Sequence, residues 1–155
     1  MTEKNDNFLL LKISLIALIV NSISFPQFIE IISPFWIFIF YTYWLIYSES
    51  KAAYIIALLL GLILDISQGD ILGQNAVALI LSSAVILRVK KSFYVSNITT
   101  QQIYVFIASI LYLSALLITQ MTMLGTNIDW LILFAPITTS IIWPFVRFLL
   151  AKLKH

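Results

Sequence analysis

Asp65 is the residue whose type and position most clearly raise the question of chemistry. It lies within residues 61–81, GLILDISQGDILGQNAVALIL, and apolar runs precede and follow it. An ionised carboxylate at the centre of a bilayer costs about 3 kcal/mol even on lenient insertion scales. We therefore expect Asp65 to have partners that offset this cost.

Three roles for Asp65 are compatible with the sequence. Its carboxylate could stabilise a turn by accepting hydrogen bonds from the backbone or from Asn75, form part of a proton or cation site, or contact a partner protein. A proton path needs a relay of acids or histidines across the membrane, and the other predicted spans contain none near their middle. The sequence therefore argues against a proton pump.

The remaining reactive residue types are sparse. The chain has seven acids, no cysteine and a single histidine, His155, which is the last residue. This set offers no pair of nucleophile and base, and it lacks the clustered His or Cys ligands of a typical zinc site. We predict a protein that is not an enzyme, with no cofactor, no metal site and no nucleic-acid partner.

The composition indicates what kind of protein must position Asp65. Apolar residues make up 61% of the 155 residues, charged residues 10%, and the mean hydropathy is +1.02. Soluble domains carry about 25% charged residues, so we expect an all-α, polytopic membrane protein with one domain over residues 1–155. Its six predicted spans cover residues 8–25, 31–47, 52–67, 71–87, 102–125 and 130–150.

The basic residues predict the orientation of these six spans. If the amino terminus is cytoplasmic, all nine Lys and Arg residues fall in cytoplasmic segments, as the positive-inside rule requires. The outer segments then contain acids: Glu30, Asp65, Asp70 and Asp129. We predict a multi-pass protein of the bacterial inner membrane with both termini in the cytoplasm.

Small residues mark one face of the predicted third span. They recur every four residues and lead to the carboxylate: Ala53, Ala57, Gly61, Asp65 and Gly69. Such ridges let helix backbones approach closely in lipid. We therefore expect Asp65 to face protein.

The residues after this span predict a tight hairpin. Gly69 permits a sharp reversal, Asp70 is a candidate N-cap for the next helix, and Gly73 lets the two helices lie close together. Asn75 is placed to donate a hydrogen bond to Asp65 or to loop carbonyls. Together with Gly61, these residues form the candidate structural or partner-binding hairpin.

A second candidate surface lies on the predicted second span. Trp36, Phe40, Tyr43 and Tyr47 are spaced by four, three and four residues and therefore share one helix face. This face could dock the transmembrane helix of a partner, because rigid rings give contact area at low entropic cost. It could equally face lipid and anchor the helix at the interface.

Two cytoplasmic features are also predicted. The loop 88–100, RVKKSFYVSNITT, suits the inner membrane surface, either as a topology determinant or as a contact for anionic lipid headgroups. Within it, Thr99 and Gln102 have the spacing of a capping box that would open the fifth span.

Two prolines predict a bend in the last span. Pro136 and Pro144 each remove a backbone donor, and the hydroxyls of residues 138–140 could satisfy the carbonyls left free.

The hairpin resembles the rod shape-determining protein MreD family. The residues that carry the resemblance follow the order G-L-x-L-D-x-x-x-G-x-x-L-G-x-x-A: Gly61, Leu62, Leu64, Asp65, Gly69, Leu72, Gly73 and Ala76. The resemblance implies a non-catalytic inner-membrane component of the elongation (Rod) complex, which directs lateral-wall peptidoglycan synthesis. The implied direct partner is MreC, and the wider assembly includes MreB, RodZ, RodA and an elongation transpeptidase, all in contact with membrane lipids.

A more distant resemblance supplies an alternative function. The six-span architecture is similar to that of the S components of energy-coupling factor transporters, which bind small molecules such as vitamins. Those proteins share an A-x-x-x-A pattern on their first helix, whereas here Ala17 is followed four residues later by Asn21. The pattern that docks a coupling subunit is therefore absent.

Overall fold

A computed structural model describes residues 12, 19, 32–48, 52–125 and 130–153. Within these ranges every regular element is helical, which confirms the all-α prediction. The α-helices are α1 (Trp36–Tyr47), α2 (Ala53–Gln68), α3 (Gln74–Val95), α4 (Ile98–Leu124) and α5 (Ala135–Leu153), and a 3-10 helix, Trp130–Phe134, precedes α5. Apart from Lys12 and Ile19, the predicted span 8–25 lies outside the described residues.

Two boundary predictions around the basic loop were wrong. α3 continues through the basic segment to Val95, and α4 begins at Ile98, so the predicted loop 88–100 is largely helix. The N-cap of α4 is Asn97, without a side-chain capping bond, so Thr99 and Gln102 do not form the predicted capping box. Charged residues at a helix end can sit at the membrane interface without ending the helix.

Two described segments are long and apolar enough to cross a membrane, judged by length and composition. They are Ile98–Met123 and Trp130–Lys152, whereas α1 and α2 are shorter apolar helices. At 1.5 Å per residue, the 27 residues of α4 extend over about 40 Å, which exceeds the roughly 30 Å hydrocarbon core of a bilayer.

Helix α1 is the most completely buried of the described helices. It packs against α3 and α5, while α2, α3 and α4 each pack against the next helix in the chain. Every residue from Ile37 to Ile46 is buried. Large apolar side chains are instead exposed on the outer helices, including Ile55 on α2, Ile118 on α4 and Phe145 on α5.

Hydroxyl groups of α5 complete the backbone hydrogen bonds of the segment before α1. The Phe35 amide donates to Thr139 Oγ1 at 3.1 Å, and Thr138 Oγ1 donates to the Ile32 carbonyl at 2.9 Å. Non-helical backbone is tolerated at membrane depth only where protein or water satisfies it. These two bonds therefore connect the entry to α1 with α5.

The two prolines of the last predicted span occupy different positions. Pro136 is the second residue of α5, where its missing N–H leaves no intrahelical bond unmade, whereas Pro144 lies inside the helix. Pro144 leaves the Ser140 carbonyl without its usual donor. Gln102 Nε2 of α4 donates to that carbonyl at 3.3 Å, and Ser140 Oγ donates to the Gln102 carbonyl at 2.9 Å.

Candidate functional site

The buried face of α2 is the predicted small-residue ridge. Its buried residues are Ala53, Ala57, Gly61, Leu64 and Asp65. At Gly61 the approach of α3 is closest, because an added Cβ would lie 2.2 Å from Ala76 Cα and 2.3 Å from Ala76 N. Only glycine fits at this crossing, so α2 and α3 pack backbone against backbone.

The main chain of Asp65 organises the end of α2. Its carbonyl accepts hydrogen bonds from the amides of Gly69 and Asp70, the latter at 3.1 Å. Gly69 has a positive φ of 71°, which is favourable for glycine and reverses the chain here. The carbonyl bonds and the left-handed glycine together close the helix.

The carboxylate of Asp65 organises the beginning of α3. Asp65 is 1% exposed. Its Oδ2 accepts from the Gly73 amide at 2.7 Å, and its Oδ1 accepts from the Asn75 amide at 3.1 Å and from Asn75 Nδ2 at 2.8 Å. Three neutral donors therefore replace the water that a buried carboxylate has lost.

These donors explain why an acid is used at this position. The first amides of a helix lack intrahelical acceptors and carry partial positive charge, so a carboxylate beside them is stabilised. Gly73 is the N-cap of α3, with φ 96° and no side-chain capping bond of its own. The prediction that Asp70 caps this helix was wrong, because Asp65 of the neighbouring helix supplies the acceptor.

A tyrosine of α4 extends the hydrogen-bond network, and the sequence reasoning missed it. The Tyr112 hydroxyl donates to Asn75 Oδ1, whose Nδ2 in turn donates to Asp65. The Tyr112 ring packs against Phe35 at 4.9 Å and Phe38 at 5.3 Å between centroids. One signal in the sequence was the phenol hydroxyl in an apolar helix, since a buried tyrosine usually finds a polar partner.

Gln74 and Asp70 form the outer part of the hairpin. Gln74 is 3% exposed, and its Oε1 is a buried side-chain atom without a hydrogen-bond partner in the described structure. Asp70 is exposed in the turn. Its partial burial and the charge of Asp65 raise the pKa of the Asp70 carboxyl above its usual range, and a hydrogen bond with the Gln74 side chain opposes that rise.

The aromatic face of α1 does not form an accessible surface. Phe40 and Tyr43 are buried inside the protein, and Trp36 and Tyr47 are partly exposed. Trp36 stacks on Phe40 at 6.2 Å, and Tyr43 packs on Tyr47 at 4.6 Å. The expectation of a lipid-facing or docking face was therefore wrong for Phe40 and Tyr43, whereas Trp36 and Tyr47 stay candidates.

Metal-ligating side chains are not clustered in the part of the chain that the structure describes. No group of three or more His, Cys, Asp or Glu residues there could hold a metal ion.

The sequence matches the family model of the rod shape-determining protein MreD over residues 2–153, nearly the whole chain. The chain belongs to the MreD family. No curated protein and no solved structure matches it. Membership assigns the protein to the rod shape-determining system and places the Asp65 hairpin in a membrane protein family.

In this member of the MreD family, a second buried polar cluster lies at the opposite end of α3. Gln101 Nε2 donates to the carbonyls of Phe93 at 3.0 Å and Ser96 at 3.2 Å. Its Oε1 accepts from Arg147 at 2.9 Å and from Trp143 Nε1 at 3.4 Å. This amide joins the turn between α3 and α4 to α5.

Basic residues collect around this second cluster. Lys90 Nζ donates to the carbonyl of Ser48, the C-cap of α1, where the helix dipole favours a cation. The described acids, Asp65 and Asp70, lie instead at the hairpin, at the other end of α3. The basic residues at the Gln101 end are Arg88, Lys90, Lys91, Arg147 and Lys152.

Proposed function

We propose that this protein is a non-enzymatic scaffold of the bacterial elongation (Rod) complex. It binds MreC and helps to organise lateral-wall peptidoglycan synthesis, and thereby rod shape. Membership of the MreD family supports the shape-determining role. The bonding of Asp65 supports the scaffold mechanism.

The observation that carries this proposal is how the Asp65 carboxylate is used. Both of its oxygens accept hydrogen bonds from neutral groups of the hairpin itself. A general base or a proton carrier must reach a substrate or a relay partner. A carboxylate on α2 that is saturated by the beginning of α3 instead holds the two helices together and fixes the shape of a membrane surface, which a scaffold requires.

The separation of charge along α3 supports the proposed orientation. The 22 residues of α3 extend over about 33 Å, enough to bring the acidic hairpin and the basic cluster to opposite sides of a bilayer. We place the basic end in the cytoplasm by the positive-inside rule. The proposal includes six spans, cytoplasmic termini and an architecture similar to that of S components.

The proposed contacts are made within and beside the membrane. MreC is the direct partner, and MreB, RodZ, RodA and the elongation transpeptidase belong to the wider assembly. Exposed apolar side chains on α2, α4 and α5 give extensive surface for lipid or for helices of these partners. Helix association in lipid depends on close packing and on polar contacts, which the hairpin also offers.

No specific observation favours the alternative of a vitamin-binding S component. The buried amide and carboxylate at the hairpin bond mainly to one another and to Tyr112. We therefore retain the scaffold as the one proposed function.

Depletion of the protein in its native host tests the proposal. We expect depleted cells to lose rod geometry, measured as length and width by microscopy, and to regain it when the wild-type chain is supplied. MreC should co-purify with the tagged full chain from detergent-solubilised membranes.

Two variants of the protein test in the same shape-rescue assay whether the Asp65 hairpin is needed. Val95→Ala changes an exposed residue at the end of α3 and should rescue shape fully, whereas Asp65→Leu should fail together with a fall in membrane level. Unchanged shape on depletion, with a defect in uptake of one nutrient, would contradict the proposal. Such a result would favour the small-molecule binder.

A further inference from the structure

The two carboxylates of the hairpin differ in how completely they are satisfied. Asp65 is buried and accepts three hydrogen bonds, whereas Asp70 is exposed and interacts with the Gln74 side chain. No basic side chain pairs with either acid in the ranges that the structure describes. The described basic side chains of α3 and α5 lie at the Gln101 end.

Gln74 provides an independent sign that the outer part of the hairpin is incomplete. Its amide oxygen is buried without a donor. An unsatisfied buried acceptor costs about 1–3 kcal/mol. Gln74 begins α3 four residues after Asp70, and its backbone amide donates to the Ile71 carbonyl at 3.1 Å, so the Asp70 and Gln74 side chains belong to the same turn.

We propose that Asp70 and Gln74 form a docking site for an ammonium or guanidinium group of a partner protein. The group is a Lys or Arg side chain just outside the outer end of the partner's transmembrane helix. The inference rests on the proposed scaffold function and deepens it by naming the chemistry of one contact.

The charges of the hairpin favour a cation at this site. Asp65 and Asp70 make the electrostatic potential at the site more negative, and partial burial of Asp70 weakens its hydration. An incoming cation pairs with the Asp70 carboxylate directly. Rotation about the last torsion of Gln74, which is soft, turns Oε1 toward the same cation and supplies the missing donor.

The surroundings of the site favour a basic side chain on an apolar helix. Leu72 in the turn is 67% exposed, and Ile66 on the last turn of α2 is 72% exposed. Ile66 lies four residues before Asp70 and Leu72 two residues after it, so both offer apolar contact close to the carboxylate. A partner helix that packs on them brings its first residue beyond the membrane to the level of the carboxylate.

A free divalent cation fits the site less well. Calcium takes six to eight oxygen ligands, and magnesium demands an octahedral shell. The hairpin offers one carboxylate and one amide oxygen that are not already filled by strong donors. A guanidinium or ammonium group can donate to these two acceptors while its remaining N–H groups stay in water.

Retention of MreC by the tagged full chain in detergent tests the site. We expect Asp70→Asn to lower retention about tenfold or more, Asp70→Lys to abolish it, and Gln74→Met to weaken it less, since loss of a hydrogen-bonded charge pair costs more than loss of a neutral acceptor. Raising NaCl should weaken wild-type binding and have little effect on Asp70→Asn. Lys91→Gln removes one charge near the opposite end of α3 and should retain MreC as the wild type does.

A charge exchange identifies the source of the cation. Each Lys or Arg next to the outer end of the MreC transmembrane helix is changed to Glu and combined with Asp70→Lys. Restored retention for one combination supports the docking site. If Asp70→Lys retains MreC fully, the site is overturned while the scaffold stands; if the wild type retains none, both fail.

Unfolding of the isolated protein distinguishes a free ion from a partner side chain. Its thermal midpoint should not differ between NaCl and choline chloride at equal ionic strength. A midpoint raised by Na⁺, Ca²⁺ or Mg²⁺ in the wild type but not in Asp70→Asn would assign the site to an ion and overturn the proposal.

Discussion

The two ends of α3 hold opposite charges against neutral amides. Near its beginning, the Asp65 carboxylate accepts from Asn75 and from backbone amides; near its end, Arg147 donates to Gln101. Asp65 is buried close to its backbone, whereas Arg147 is partly exposed on a long chain that can reach headgroups. At the hairpin the charged Asp65 carboxylate therefore holds the structure together. At the basic end the neutral Gln101 amide does so.

Replacement of Asp65 should have the largest effect. Asp65→Leu leaves two backbone amides and Asn75 Nδ2 without their acceptor, at about 1–3 kcal/mol each. We expect a loss of about 3 kcal/mol or more in unfolding free energy in detergent, together with low membrane levels.

The unfolding free energy and membrane level of Asp65→Asn should lie between those of the wild type and Asp65→Leu. Its amide oxygen can replace one carboxylate oxygen, but its NH₂ group then faces a donor. Equal and full accumulation of both variants would refute the structural role of the carboxylate.

The helix crossing beside this network should be nearly as sensitive. Gly61→Ala places a Cβ against the backbone of Ala76, which cannot move like a side chain. We expect a loss of about 2 kcal/mol, at the level of overpacked cores, and a greater loss for Gly61→Leu. Leu59→Ala on the exposed face of α2 is the control, and a thermal midpoint for Gly61→Ala equal to that control would mean the two helices do not cross here.

At the basic end the amide should matter more than the charge. Gln101→Leu removes the donor for two carbonyls and the acceptor of Arg147, which predicts a loss of about 1–2 kcal/mol. Arg147→Met should cost less than about 1 kcal/mol, because Trp143 remains near Gln101 and few bonds are lost. If denaturant unfolding shows a larger loss of stability for Arg147→Met than for Gln101→Leu, the proposed contrast between the two ends of α3 is wrong.

Replacement of Asp70 should have the smallest effect on the stability of the isolated protein, and this effect should depend on pH. Its pKa is raised in the folded protein, so the fold favours the protonated carboxyl and loses stability as the pH rises through that pKa. Asp70→Asn should therefore raise the thermal midpoint of the isolated protein slightly at neutral pH. The gain should vanish as the pH falls below the ordinary carboxyl range, near 4; a gain that is constant from pH 4 to pH 8 would contradict this origin.

The hairpin was predictable because local spacing determines it. The four-residue spacing of small residues places Gly61 and Asp65 on one helix face, and the glycines mark the turn. Asn75 follows within one helical turn of Gly73, so its contact with Asp65 could also be predicted from the sequence. Hydrogen bonds from the backbone and from Asn75 to Asp65 were among the predicted alternatives and are confirmed, but the cap of the next helix was assigned to Asp70 because sequence rules place a cap just before the helix.

Contacts between distant helices could not be predicted in this way. Tyr112 lies 37 residues from Asn75, and Gln102 lies 38 residues from Ser140. Periodicity shows that the rings of α1 share a face, but it does not show whether that face meets lipid or protein. Only the arrangement of α3 and α5 around α1 decides this.

The position of α1 has a consequence for synthesis of the chain. Phe35 and the carbonyl of Ile32 depend on Thr139 and Thr138, more than 100 residues later. A nascent chain that has not yet produced α5 leaves these polar groups unpaired and one side of α1 uncovered. Helix α1 therefore leaves the ribosome well before α5 and reaches its final environment only after α5 is made, so insertion factors or lipid must cover α1 in the interval.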